Sequence, residues 1–395
     1  MSAQPAEASA PIGTDPYHGR LLDSDGHIYI HPDTADALFG EHNHGAPLEF
    51  LRGYVHSDEY KTNRAQNQDI NRVWDIKGMG ALGGFDPLER RTALDAMGVR
   101  SQLVFGGVSG GWELRADSDA ARLTCARFND YALEFARRCD QRARVCCHIN
   151  MSRVDWAIAE LERVIKAGAK AITLPCNEPP ASGSPSHEQW DPFWARIQEA
   201  DVVATIHLGV SGGLLSNRER EDMMLPNPLW GESASLRAKP AFRAGGEEAI
   251  SPYFMLVAHM APELYLQTLV MGKVFERFPR LRFGIIEFGA SWLGPCVERM
   301  DLWSKFMNRI GTKYNLKPSE YVRRNVRVTP FWHEDLPLMV ERYGLKEAYV
   351  FSTDYPHLEG SRDPIGKFRA QLAKMDPAYA QAFFLDNPRL LFPDA

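Results

Sequence analysis

Apolar positions along this chain alternate between two periods. Short β-branched, apolar runs recur, and between most of them lie longer stretches whose apolar residues return every three or four positions. The short runs read as strands: Arg20–Tyr29, which breaks into polar residues, then Gln102–Phe105, Val145–Ile149, Lys170–Leu174, Val202–His207, Leu281–Glu287, Val326–Thr329 and Leu345–Val350. The longer stretches read as helices over Pro87–Met97, Ala120–Arg138, Val154–Ala167, Asp191–Ala200, Pro252–Phe278 and Trp292–Ile310, with Gly98 and Gly168 placed as stops. Such alternation calls for a parallel sheet covered by helices. Eight candidate strands, beginning near residues 20, 101, 144, 170, 202, 281, 326 and 347, predict an α/β fold of the (β/α)8 TIM type.

The pattern fails in three places. Residues 1–17 are rich in Ala, Pro and Ser and read as a loose tail, leaving 18–395 as a single barrel. Insertions at about 31–85 and 209–251 are long, polar and irregular, as expected of functional loops on the C-terminal face. The first holds His42, His44 and His56. The pair His42/His44 follows no apolar strand and is the weaker rival for metal ligation.

Chemistry concentrates at strand ends. Asp25 and His27 are two apart, so an extended chain points both to one side. His207 closes the fifth strand, Glu287 the sixth, and Asp354 follows the eighth, just before Pro356. Strand tips line the active-site face of such barrels, so these residues would converge at one mouth. Four of them, two imidazoles and two carboxylates, could hold a divalent cation, zinc first and manganese or iron as alternatives, with room for water. His259, near the start of the helix 252–278, is a further candidate catalytic group beside Glu287. There is no GxxxxGK[ST] phosphate loop.

Composition narrows the partners. A net charge of −6, with no basic patch interleaved with aromatics, argues against nucleic acid. No apolar run approaches the length of a bilayer span, and the opening residues lack an export signal, so a cytoplasmic enzyme acting on a small molecule is expected. The six cysteines show no CxxC spacing and read as buried free thiols. Trp303, Phe306, Met307 and Tyr314 offer apolar surface for a homo- or hetero-oligomer.

Four segments carry a family resemblance: Asp23–His27, Gly272–Arg282, Glu287–Leu293 and Ser352–Gly360. At these residues the chain resembles the amidohydrolase superfamily, in the amidohydrolase-2 branch related to aminocarboxymuconate-semialdehyde decarboxylase. The resemblance implies a metal-dependent barrel whose ligands map onto Asp25, His27, His207 and Asp354. Two departures stand out. Family decarboxylases usually carry His where this chain has Glu287, and many Glu-bearing relatives carry an acid where it has Ile30. The expectation is therefore a one-metal hydrolase cleaving a C–N or C–C bond through metal-activated water, with decarboxylation disfavoured. A dinuclear iron or manganese oxygenase, its second metal held by Glu287 and His259, and a one-metal partner subunit of a hetero-oligomer are the alternatives.

Overall fold

The structure is a computed structural model and describes residues 16–40, 52–67, 69–106, 111–180, 183–209, 228–238, 252–358 and 360–395. The tail 1–15, the His42/His44 pair and most of the second insertion lie outside these residues. Named strands are β1 (Leu21–Asp23), β2 (Val99–Val104), β3 (Ala143–Val145), β4 (Cys147–His148), β5 (Ala171–Thr173), β6 (Val203–His207), β7 (Arg282–Ile286) and β8 (Val326–Val328). All pairings are parallel, in the orders β1-β2-β3 and β4-β5-β6-β7-β8.

Two details depart from the expected eight strands. The strand expected over 145–149 is split at Cys146, whose N–H still donates to Val104 O at 2.8 Å while Ile149 N donates to Thr173 O at 3.2 Å. The run 345–350 forms no extended ladder. It makes isolated bridges instead, Val328 to Tyr349 on one side and Gly26 to Tyr355 on the other. Hydrogen bonds from Val350 N to Val328 O (3.1 Å), Ser24 N to Phe351 O (3.0 Å) and His27 N to Tyr355 O (2.7 Å) join β8 to β1 through this segment. Eight parallel runs thus make the (β/α)8 architecture.

Alternation along the strands separates two cores. Leu22, Leu103, Cys146, Ala171, Val203, Ile286 and Val350 pack together inside the ring, with Leu391 and Phe392 from the C-terminal segment among them. Their neighbours Leu21, Val104, Cys147, Ile172, Ala204, Ile206, Phe283, Ile285 and Val328 face the helices. That is the period of two expected of strands. The helix Pro87–Met97 begins at an Asp86 side-chain cap with Pro87 behind it, and stops at Gly98, whose φ of 72° is left-handed. The expected helix over 252–278 is three helices, Pro252–Val257, Met260–Met271 and Val274–Arg277. By length and composition alone Pro252–Met271 passes for a membrane span, but it is two helices broken after Val257, and Tyr253, Val257, Ala261, Tyr265, Leu266, Leu269 and Val270 pack into the core. The first insertion is less irregular than expected, holding helices at Pro32–Phe39 and Asp58–Gln66. All six cysteines are free and buried.

Candidate metal centre

The polar residues after β1 cross the ring beside the segment 351–355. Asp354 N donates to Asp25 O at 3.0 Å, so residues from near opposite ends of the chain meet at one mouth. β6 brings His207 inward, being two residues beyond Thr205 and four beyond Val203 on the same face. Glu287 and Asp354 share an unusual backbone: φ is 66° and 55°, left-handed for both. Such a conformation is costly for residues other than glycine and persists where surroundings impose it. Here Thr329 Oγ1 accepts from Glu287 N at 2.9 Å. The Glu334 carboxylate then fixes the following turn, accepting from Ala290 N (2.9 Å) and Ser291 N (2.8 Å).

Six donors converge. Asp25 Oδ1 lies 3.3 Å from His27 Nε2 and 3.2 Å from His207 Nε2, and Glu287 Oε2 lies 3.1 Å from His207 Nε2. Asp354 Oδ1 lies 3.2 Å from His27 Nε2 and 3.1 Å from His357 Nδ1. Two overlapping groups follow, Asp25–His27–His207–Glu287 and His27–Glu287–Asp354–His357, each with ligand atoms within 4.8 Å of one another. Asp354 therefore joins His27 from its own side rather than closing one tight set with Asp25 and His207. His357 escapes the sequence reading: it follows Pro356, off any strand, where no periodicity marks its direction. His259 is not brought to the cluster. It is 39% exposed, and its Nε2 sits 4.0 Å from Glu263 Oε2, one turn along the same helix.

Burial and mutual charge bias the donors Asp25, His27, His207, Glu287 and Asp354. Burial, then the Asp354 charge, pushes Glu287 up to about 8. Burial and His357 push His27 down, but Asp25 and Asp354 more than offset them and raise it to about 9. Burial lowers His207. Burial acts against the charged form of Asp354, yet His357 and His27 hold it well below the usual carboxylate range. Three buried atoms, His27 Nε2, Glu287 Oε2 and Asp354 Oδ1, make no hydrogen bond among the described residues. Buried polar atoms left so are expensive, and a divalent cation would satisfy all three. The imidazole and carboxylate donor set fits one. A cavity of about 90 Å3 opens on the donors, lined by Asp25, Glu287 and Asp354 together with Leu208, Met255, Phe331, Trp332 and Phe368.

Comparison with known proteins gives the geometry its context. The amidohydrolase family, in its amidohydrolase-2 form, matches residues 55–393. No curated protein matches the chain. Among solved structures, an amidohydrolase from Mycobacterium avium subsp. paratuberculosis K-10 is similar at TM-score 0.68 and 20% identity, over 96% of this chain and 98% of that one. The 2,6-dihydroxybenzoate decarboxylase from Rhizobium is similar at TM-score 0.62 and 16% identity, over 95% and 99%. A dihydroxybenzoic acid decarboxylase from Polaromonas sp. JS666, solved with manganese and the inhibitor 2-nitroresorcinol, is similar at 0.60 and 17%, over 94% and 96%. The neighbours whose reaction is named are decarboxylases, which corrects the expectation of a hydrolase with decarboxylation disfavoured. At these identities the likeness establishes the TIM-type fold, while the match over most of the sequence establishes the family: the chain belongs to the amidohydrolases of the amidohydrolase-2 branch.

Proposed function

We propose that the chain is a divalent-cation-dependent decarboxylase of a small, planar organic acid. The observation that carries this reading is Glu287, a buried carboxyl standing among the imidazoles, with Oε2 making no hydrogen bond among the described residues, and lining an apolar-walled cavity. Asp25, His27 and His207 would hold one ion, manganese as in the Polaromonas structure or zinc, with Asp354 approaching from the His27 side and His357 steadying Asp354. The ion would supply electrostatic stabilisation to charge developing on a substrate oxygen. The apolar walls, Phe331, Trp332 and Phe368 among them, suit a flat substrate body and exclude water from it. As the C–C bond to the leaving carboxylate breaks, CO2 departs and the electron pair stays on the substrate carbon. Glu287 then delivers its proton to that carbon, a task that its raised proton affinity favours. It would thus stand in for the family histidine.

The test is release of CO2 from a panel of hydroxybenzoic acids by the manganese-loaded chain, followed by Glu287→Gln. The amide cannot donate that proton, so kcat should fall by about 10²- to 10⁴-fold with the ion retained. An unchanged rate in the variant would refute the role of Glu287, and inertness toward every acid of the panel would refute the reaction.

A further inference from the structure

Behind the donors lies a buried carboxylate that touches no cation. Asp23 is fully buried, yet no Lys, Arg or His is hydrogen-bonded to it among the described residues. Its two oxygens instead receive four donors. Asp25 N (3.2 Å) and Thr353 N (2.9 Å) donate to Oδ1, and Gln102 Nε2 (2.7 Å) and Thr353 Oγ1 (2.6 Å) donate to Oδ2. Four is the full acceptor capacity of a carboxylate. Two of these donors are the backbone of Asp25 itself and of the residue just before Asp354. The chain of bonds continues outward, from Arg90 Nη1 to Gln102 Oε1 at 2.9 Å, and Arg90 also donates to His27 O and, through Nε, to Gly83 O at 3.0 Å.

The polarity of this chain is one-way. A guanidinium can only donate and an ionised carboxylate can only accept, so Gln102 between them must turn its oxygen to Arg90 and its nitrogen to Asp23. Gly26 completes the arrangement, since a Cβ there would collide with the Gln102 amide. Burying a carboxylate against neutral donors is costly, and a site that bears such a cost owes it to geometry. We propose that Asp23, backed by Gln102 and Arg90, is the positioning residue that sets the separation of Asp25 and Asp354 and through it the cation affinity of the centre. The inference rests on the metal reading above.

Mn(II) binding to the full chain, followed by the electron paramagnetic resonance of free and bound ion, tests it. In Asp23→Asn an amide N–H would face Gln102 Nε2, and in Gln102→Glu a carboxylate would face Asp23. Each single variant should bind Mn(II) about 10- to 100-fold more weakly. The double variant Asp23→Asn/Gln102→Glu restores the polarity, because the carboxylate introduced at position 102 then accepts both from Arg90 and from the amide introduced at position 23, and it should recover most of the loss. Rescue of folding by the double, where a single variant fails to fold, supports the same conclusion. Wild-type affinity in Asp23→Asn, or a double variant no better than the weaker single, overturns it. An unmodified chain that binds no Mn(II) sinks the metal reading instead, and the positioning role with it, a failure visible before any substitution is made.

Discussion

The imidazole rings of His27 and His357 lie face to face, with centroids 3.4 Å apart and 19° between their planes. One nitrogen of each approaches the same oxygen, Asp354 Oδ1. Two imidazolium cations stacked in this way would repel each other, whereas two neutral rings with a shared carboxylate are natural cation ligands. Elemental analysis should therefore find about one divalent ion per chain. His207→Ala should remove most of it, and His357→Ala should leave it bound more weakly. Two ions per chain would show that His27, Glu287, Asp354 and His357 hold one of their own.

Cation affinity should rise with pH. Before an ion binds, His27 and Glu287 carry protons up to about 9 and about 8; His27 must shed its proton to ligate, whereas Glu287 keeps the one it delivers. Both values lie above the unfolded ones. The stability that these protons give the metal-free fold is therefore complete below the unfolded values and fades as pH rises toward 9. The melting temperature of the metal-free chain should fall over pH 7–9, while the gain on adding Mn(II) should grow. A gain that shrinks with pH would contradict these assignments.

Gly26→Ala should disturb both fold and centre. The added methyl meets the Gln102 amide inside a filled network, so a loss of about 1–3 kcal/mol is expected, read by thermal or chemical unfolding. Mn(II) affinity should drop in the same variant.

Phe392→Ala separates stability from chemistry. Phe392 is fully buried in the inner core with the Arg144 guanidinium over its ring, centred 5.0 Å away. Truncation should cost about 3–5 kcal/mol in unfolding measurements. The ion, held at the other end of the ring, should still bind with near-normal affinity wherever the variant remains folded.

Much of this centre is legible in the chain because it obeys strand arithmetic. Asp25 and His27 are two apart, and His207 ends a strand on the face of Val203 and Thr205, so side-chain direction finds these three. Glu287 instead follows the inward-facing Ile286 and departs from strand geometry with a left-handed backbone. His357 obeys no such rule, since it leaves a turn after Asp354 has already departed from strand geometry. His259 is misplaced for the opposite reason: a helix start offers no directional rule, and its partner Glu263 lies on its own helix. Asp23 stands in the family motif, yet its role depends on Gln102 and Thr353, partners far away in sequence. Sequence alone weighs Glu287 against decarboxylation because the family histidine is missing there, and the raised proton affinity that burial gives it is visible only in the fold.

Leu391 and Phe392 fill the inner core, and the segment around 348–355 joins β8 to β1. Both come after β1–β8 in the chain, so a ribosome makes them after those strands. Until they emerge, the strands already synthesised have an open seam and an unfilled interior, with Leu22 and Val203 lacking their partners. Assembly of the ring must wait until the residues through Phe392 are made, a long-range closure of the kind that slows folding and leaves apolar surface open to chaperones meanwhile.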